Sequence, residues 1–84
     1  MTEPQIYVAN LAAYNNGEII GNWINANQNA DKLSNQVQEI LNQYPDNEEY
    51  IILDYEGFGD IELYEYESIE SVARIASAIS EICN

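Results

Sequence analysis

The sequence predicts an α+β domain: a small three-stranded antiparallel sheet with two helices laid against it, in the order ββαβα. Three observations carry this expectation. Two β-rich runs, "IYVANLAAY" and "EIIGNWIN", flank the turn signal "NNG" at residues 15–17. A third β-rich run, "EEYIILDY", follows later in the chain. Two other stretches place apolar residues three and four apart, the period of a helix with one buried face.

Taken in order, Pro4 favours extended backbone before it, and Ile6, Val8 and Leu11 alternate inward as a first strand. After the turn, Ile19 or Ile20, together with Trp23 and Ile24, supplies core from a second strand, and Gly21 marks a bulge. The two strands read as a hairpin. Asn29 or Asp31 caps a helix running to about Tyr44, whose apolar face is Ala30, Leu33, Val37, Ile40, Leu41 and Tyr44. Its other face, Asn35, Gln36, Gln38, Asn42 and Gln43, is polar and uncharged, and Pro45 stops it. Residues 50–53 are continuously apolar, which predicts a third strand at the centre of the sheet. Gly57 and Gly59 break that strand, leaving a loop or a short irregular edge. Ser68 then caps a last helix, with Glu70 in its first turn and Ile69, Val72, Ala73, Ala76, Ile79 and Ile82 along one stripe.

At 84 residues the chain makes one domain, 1–84, with a single thin core. A hydrophobic content of 46% with seven tyrosines is too apolar for an acidic disordered tail. Fifteen Asp and Glu stand against Lys32 and Arg74, a net charge of -13. Self-repulsion on that scale predicts that added salt stabilises the fold. Duplex DNA carries one charge per about 1.7 Å of axis, so this charge matches roughly 22 Å of duplex. A compact chain of this length has a radius of gyration of about 12 Å. The comparison points to basic partners.

Several classes of function are disfavoured. Without histidine, no Cys-His or Ser-His pair forms within one subunit, and Cys83, the only cysteine, makes no internal disulfide. No apolar run approaches a membrane span, the N-terminus lacks the pattern of a secretory signal, and no basic patch suits nucleic acid. An untargeted, soluble, non-enzymatic protein without cofactor or metal is expected.

The most informative feature is a run of ten carboxylates without a basic residue: Asp46, Glu48, Glu49, Asp54, Glu56, Asp60, Glu62, Glu65, Glu67 and Glu70. Counted from Asp54, acids fall at positions one, three, seven, nine and twelve with Gly59 at six, as in a calcium-binding loop. Phe58 at position five has no oxygen to offer, and the preceding residues read as strand, so calcium is the alternative rather than the main reading. A glycosidase pair needs a cleft that so small a domain has little room for. A further alternative is an acidic structural domain for another basic protein, and acidic surfaces are commonly just solvated. The main reading makes the acids themselves the ligand surface. Residues two apart on an extended segment lie about 6.6 Å apart on one face, comparable to neighbouring phosphates. Asp54 and Glu56, Asp60 and Glu62, and Glu65 and Glu67 have that spacing. Tyr64 and Tyr66 are placed as interface aromatics, Tyr50 and Tyr55 as core.

"IYVANLAAYNNGEIIGNWIN", "ILDYEGF" and "YEYESIESVARIA" together resemble the N-terminal part of the ArdA antirestriction family, over about residues 6–76. The resemblance implies an elongated DNA mimic, carried by mobile elements or phages, that occupies the DNA groove of type I restriction-modification enzymes in the bacterial cytoplasm. Carried over by position, its matching acids are Glu18, Asp54, Glu56, Glu65 and Glu67, with Tyr14 and Trp23 structural. Members of the family continue into further acidic domains, including the dimer-forming part. For a lone first domain a smaller or different target is expected, and a CRISPR effector with its basic channel is the second candidate. Homodimer formation is left open.

Overall fold

A computed structural model describes residues 3–83 of the chain, with side chains as far as Ile79. The elements are β1 (Gln5–Asn10), α1 (Leu11–Asn15), β2 (Gly21–Asn25), α2 (Ala30–Leu41), β3 (Tyr50–Glu56) and α3 (Ile69–Cys83). The three strands form one antiparallel sheet in the order β2-β1-β3. The α+β class and the ββαβα frame therefore hold, with one additional short helix.

That helix lies within the connection of the expected hairpin, whose two strands do pair antiparallel. Asn10 ends β1 with its side-chain oxygen accepting from the Ala13 N–H at 3.0 Å, an N-cap that turns the chain into α1. Leu11 thus opens a helix instead of continuing the strand. The expected turn follows: the Asn16 N–H donates to Ala12 and Ala13, and Gly17 takes a φ of 83°. The ladder resumes where the Asn10 N–H meets the Ile20 carbonyl at 2.9 Å.

β2 is correspondingly shorter than its apolar run. Ile24 packs on the core, but Ile19 is 65% exposed. Gly21 is not a bulge. It pairs with Ala9, and a Cβ there would lie 2.4 Å from the Val8 carbonyl oxygen, so the residue permits close approach of two backbones. Trp23, expected in the core, stands outside it on the opposite face of the sheet.

The third strand was expected at the centre, and it is an edge. β1 is central, with Ile6 and Val8 fully buried. The apolar run of β3 has another cause: both its faces are covered near its start. Ile52 belongs to the main core, whereas Ile51, paired with Ala9 on the other face, lies where α1 rests against β1 and β3. A strand covered on both faces reads as continuously apolar whether or not it has two neighbours.

α2 lies across β1 and β2 and contacts α3. Asn29 caps it by accepting from the Asp31 and Lys32 N–H groups. It ends earlier than its apolar spacing suggests, because the Gln43 and Tyr44 N–H groups bond three residues back in tight turns before Pro45. Leu33, Val37, Ile40 and Leu41 fill the core with Ile6, Val8, Ile52, Phe58, Val72, Ala73 and Ala76. Ser68 accepts from the Ser71 N–H at the start of α3, as its sequence predicts. The side chains of Ile82 and Cys83 lie outside the described residues.

Candidate interaction surface

Nine of the ten run carboxylates are exposed, and Glu67 is half-buried. They sit on three local frameworks, each ordered for its own reason.

Asp46, Glu48 and Glu49 occupy the connection from α2 to β3. Asn10 holds it from beneath: its fully buried side-chain amide donates to the Leu41 carbonyl at 3.1 Å and to the Asp46 carbonyl at 2.7 Å. The Leu11 N–H donates to the Glu49 carbonyl at 3.0 Å. The backbone bearing these acids is therefore tied to β1 and α1, while the carboxylates remain in solvent.

Asp54 and Glu56 depend on a β-bulge. Val8 pairs with Ile52 and Tyr7 with Asp54, so Leu53 is the extra residue on β3. Ile52 faces the core; without the bulge, alternation would send Asp54 the same way. The extra residue inverts the alternation. Tyr55 then packs towards the core, while Asp54 and Glu56 emerge beside Tyr7 and Gln5 on the face opposite α2. Asp54 accepts from the Tyr55 N–H at 2.8 Å, which orients its carboxylate.

Asp60, Glu62, Glu65, Glu67 and Glu70 belong to the segment from Gly57 into α3. Phe58, 2% exposed, anchors it in the core and meets Tyr55 edge to face, ring centroids 5.8 Å apart. The Ile61 N–H closes a turn on the Phe58 carbonyl. The Ile52 N–H donates to the Glu65 carbonyl at 2.8 Å, and the Tyr50 hydroxyl donates to the Glu67 carbonyl, so the segment lies along the free edge of β3. It is an irregular edge, one of the two expected forms. Glu65 and Glu67 do not lie on an extended row, because the Glu67 N–H bonds back to Tyr64 in a turn. The Glu67 carboxylate accepts from the Ser71 hydroxyl at 2.8 Å, so it stabilises the start of α3 where the helix dipole favours an acid.

Tyr64 and Tyr66 are 77% and 60% exposed. Tyr66 borders a shallow depression with Leu11, Glu48, Glu49 and Tyr50, which brings the first and last parts of the acidic run to one place. Tyr50 and Tyr55 pack against the core, also as expected. Glu18 is exposed just beyond α1.

Sequence reasoning missed Asn10, Phe58 and the outward placement of Trp23. An N-cap signal was available in "NLAA" at Asn10, overshadowed by strand-like alternation. The calcium alternative finds no support in this arrangement. Asp54 and Glu56 are held in a strand, and among the described residues no three of His, Cys, Asp and Glu come together to hold a metal. Burial, and then the Glu67 charge, pushes the Tyr50 hydroxyl up from its ordinary value. No helix of the described residues is long and apolar enough to cross a membrane.

Fold and surface together define a small acidic α+β domain whose distinctive groups are outward-facing carboxylates and aromatics. Residues 6–84 match the family model described as antirestriction protein (ArdA), and the chain belongs to that family. Membership implies an antirestriction function directed at type I restriction-modification enzymes. Comparison with curated proteins and with solved structures gave no match.

Proposed function

We propose that this chain, as a single acidic domain, inhibits its target without catalysis, by presenting DNA-like charge to the groove of a type I restriction-modification enzyme in the bacterial cytoplasm. The observation that carries the reading is the ordered, outward display of nine carboxylates on a stretch with no basic residue. The longest dimension of the fold is 41 Å. Thirteen net charges over that length give about one per 3 Å, nearer to the spacing along one DNA strand than to that of the duplex. Binding would release counterions from the basic groove of the enzyme, and its affinity would fall steeply with salt.

The test is a cleavage assay with a type I enzyme and a Glu48→Gln, Glu49→Gln, Glu62→Gln, Glu65→Gln variant. These side chains are exposed, so the fold should survive. The expected result is at least about a tenfold loss of inhibition, with wild-type inhibition relieved by excess duplex DNA and by salt. Undiminished inhibition by the folded variant would remove this surface from the mechanism. Capture of a CRISPR effector instead, displaced by DNA, would keep the chemistry and change the target.

A further inference from the structure

The face of the sheet opposite α2 combines aromatic and acidic groups in a way the charge run alone does not describe. Tyr7 lies at its centre, directly opposite Trp23 on β2 and Asp54 on β3. The two rings meet edge to face, centroids 5.5 Å apart at 77°. In the next row Gln5 lies between Asn25 and Glu56, and Asn25 donates to the Glu3 carboxylate at 2.8 Å. Carboxylates thus flank the aromatic pair on both sides. α1 covers only the end of this face where Ala9 and Ile51 are buried. Trp23 remains 37% exposed, and Asp54 and Glu56 are exposed.

No Lys or Arg lies on the three strands; the two basic residues of the chain are in α2 and α3. Among the described residues, the sheet therefore supplies no cation to these aromatic faces and carboxylates. A guanidinium satisfies both kinds of group at once, stacking on an aromatic ring while donating paired hydrogen bonds to a carboxylate. An ammonium ion is a compact, strongly hydrated charge and gains less from such a site. A second copy of this chain is disfavoured as the occupant, because it brings the same negative charge.

We propose that this outer sheet face, centred on Tyr7, Trp23, Asp54 and Glu56, is a docking site for an arginine-bearing segment of a protein partner. The inference rests on the reading of the chain as an inhibitor of a basic-grooved protein and adds to it a chemical preference. Charge mimicry alone treats lysine and arginine alike. This face separates them.

Trp23 is the only tryptophan, so its emission reports on the site directly. The experiment titrates the domain with oligo-arginine and oligo-lysine peptides of equal length at near-physiological salt, following Trp23 fluorescence and backbone amide shifts. The expected result is saturable quenching by oligo-arginine at about fivefold higher affinity than oligo-lysine, with shifts on β1, β2 and β3. An Asp54→Asn, Glu56→Gln variant, and separately Trp23→Leu followed by amide shifts, should bring the two affinities together. The carboxylate variant alters only exposed side chains and keeps the test valid if Trp23→Leu fails to fold. Equal affinities for the two peptides in the wild type, or shifts confined to the Tyr64 and Tyr66 turn, would overturn the proposal. Failure of the wider reading is seen separately, as a wild-type domain that leaves restriction untouched whatever its peptide preference.

Discussion

Asn10 lies fully buried, and its side-chain amide donates to the backbone carbonyl of Asp46, 2.7 Å away and 36 positions along the chain. The same amide group donates to Leu41 and accepts from Ala13. One side chain therefore joins the end of the central strand, the start of α1, the end of α2 and the first residue of the acidic run. This is a buried polar group with its hydrogen bonds satisfied, and each bond orders a different element.

Substituting Asn10 should consequently cost more than a typical buried residue of its size. Asn10→Leu strands two carbonyls and the Ala13 N–H, with an expected loss of about 3 kcal/mol. Asn10→Asp keeps the cap but replaces both donated bonds with repulsion between a carboxylate and carbonyl oxygens, and should be at least as damaging. Urea denaturation of the two variants measures this. A loss below about 1 kcal/mol for both would show that the network contributes little.

Gly17 and Gly57 share nearly the same left-handed conformation, φ 83° and 82°, in different surroundings. A Cβ at Gly17 would meet nothing within 4 Å, whereas at Gly57 it would lie 2.6 Å from the Glu3 carbonyl oxygen. Gly17→Ala should cost about 1 kcal/mol, the conformational penalty alone. Gly57→Ala should cost clearly more, and should loosen the N-terminal residues that cross beneath it. Thermal melts of the pair, with amide exchange at residues 3–6, separate strain from steric conflict.

Tyr50 predicts a pH dependence. Its hydroxyl titrates above the ordinary 10.0, because burial and then the neighbouring Glu67 charge disfavour the phenolate. The unfolded chain therefore loses this proton first as pH rises. The stabilisation is complete below about pH 10 and disappears as pH climbs through the raised value of the folded state. Tyr50→Phe should remove about 1 kcal/mol at neutral pH, the net worth of the bond to the Glu67 carbonyl. It should also flatten the alkaline fall in stability. Denaturation midpoints measured between neutral pH and about pH 11 test both effects; an alkaline limb unchanged by the substitution would assign it to other groups.

Salt should act in opposite directions on folding and on binding. Screening a net charge of -13 relieves self-repulsion, so raising ionic strength from about 20 mM to about 0.5 M should stabilise the fold. A gain on the order of 1 kcal/mol corresponds to a rise of about 4–8 °C in Tm. The same change should weaken binding to a basic groove by orders of magnitude. Calorimetry and a binding titration over one salt series check both signs together.

Local pattern was enough to determine a good deal about this protein. The caps at Asn29 and Ser68, the apolar stripes of α2 and α3, the turn at Gly17 and the acid run are properties of residues near one another in the chain. Such features are visible in sequence because hydrogen-bond caps and side-chain periodicity act over a few positions. Strand order was not legible in this way. A run covered by helices on both faces looks the same as one between two strands, so β3 read as central although β1 holds that place. The extra residue at Leu53 was equally hidden, because a bulge exists only relative to a partner strand. That bulge decides that Tyr55 turns inward and that Asp54 and Glu56 join Tyr7 and Trp23 outside. Composition determined that the surface would be acidic; only long-range pairing decided which acids stand beside which aromatic rings, because relative placement across a sheet is set by contacts between residues distant in sequence.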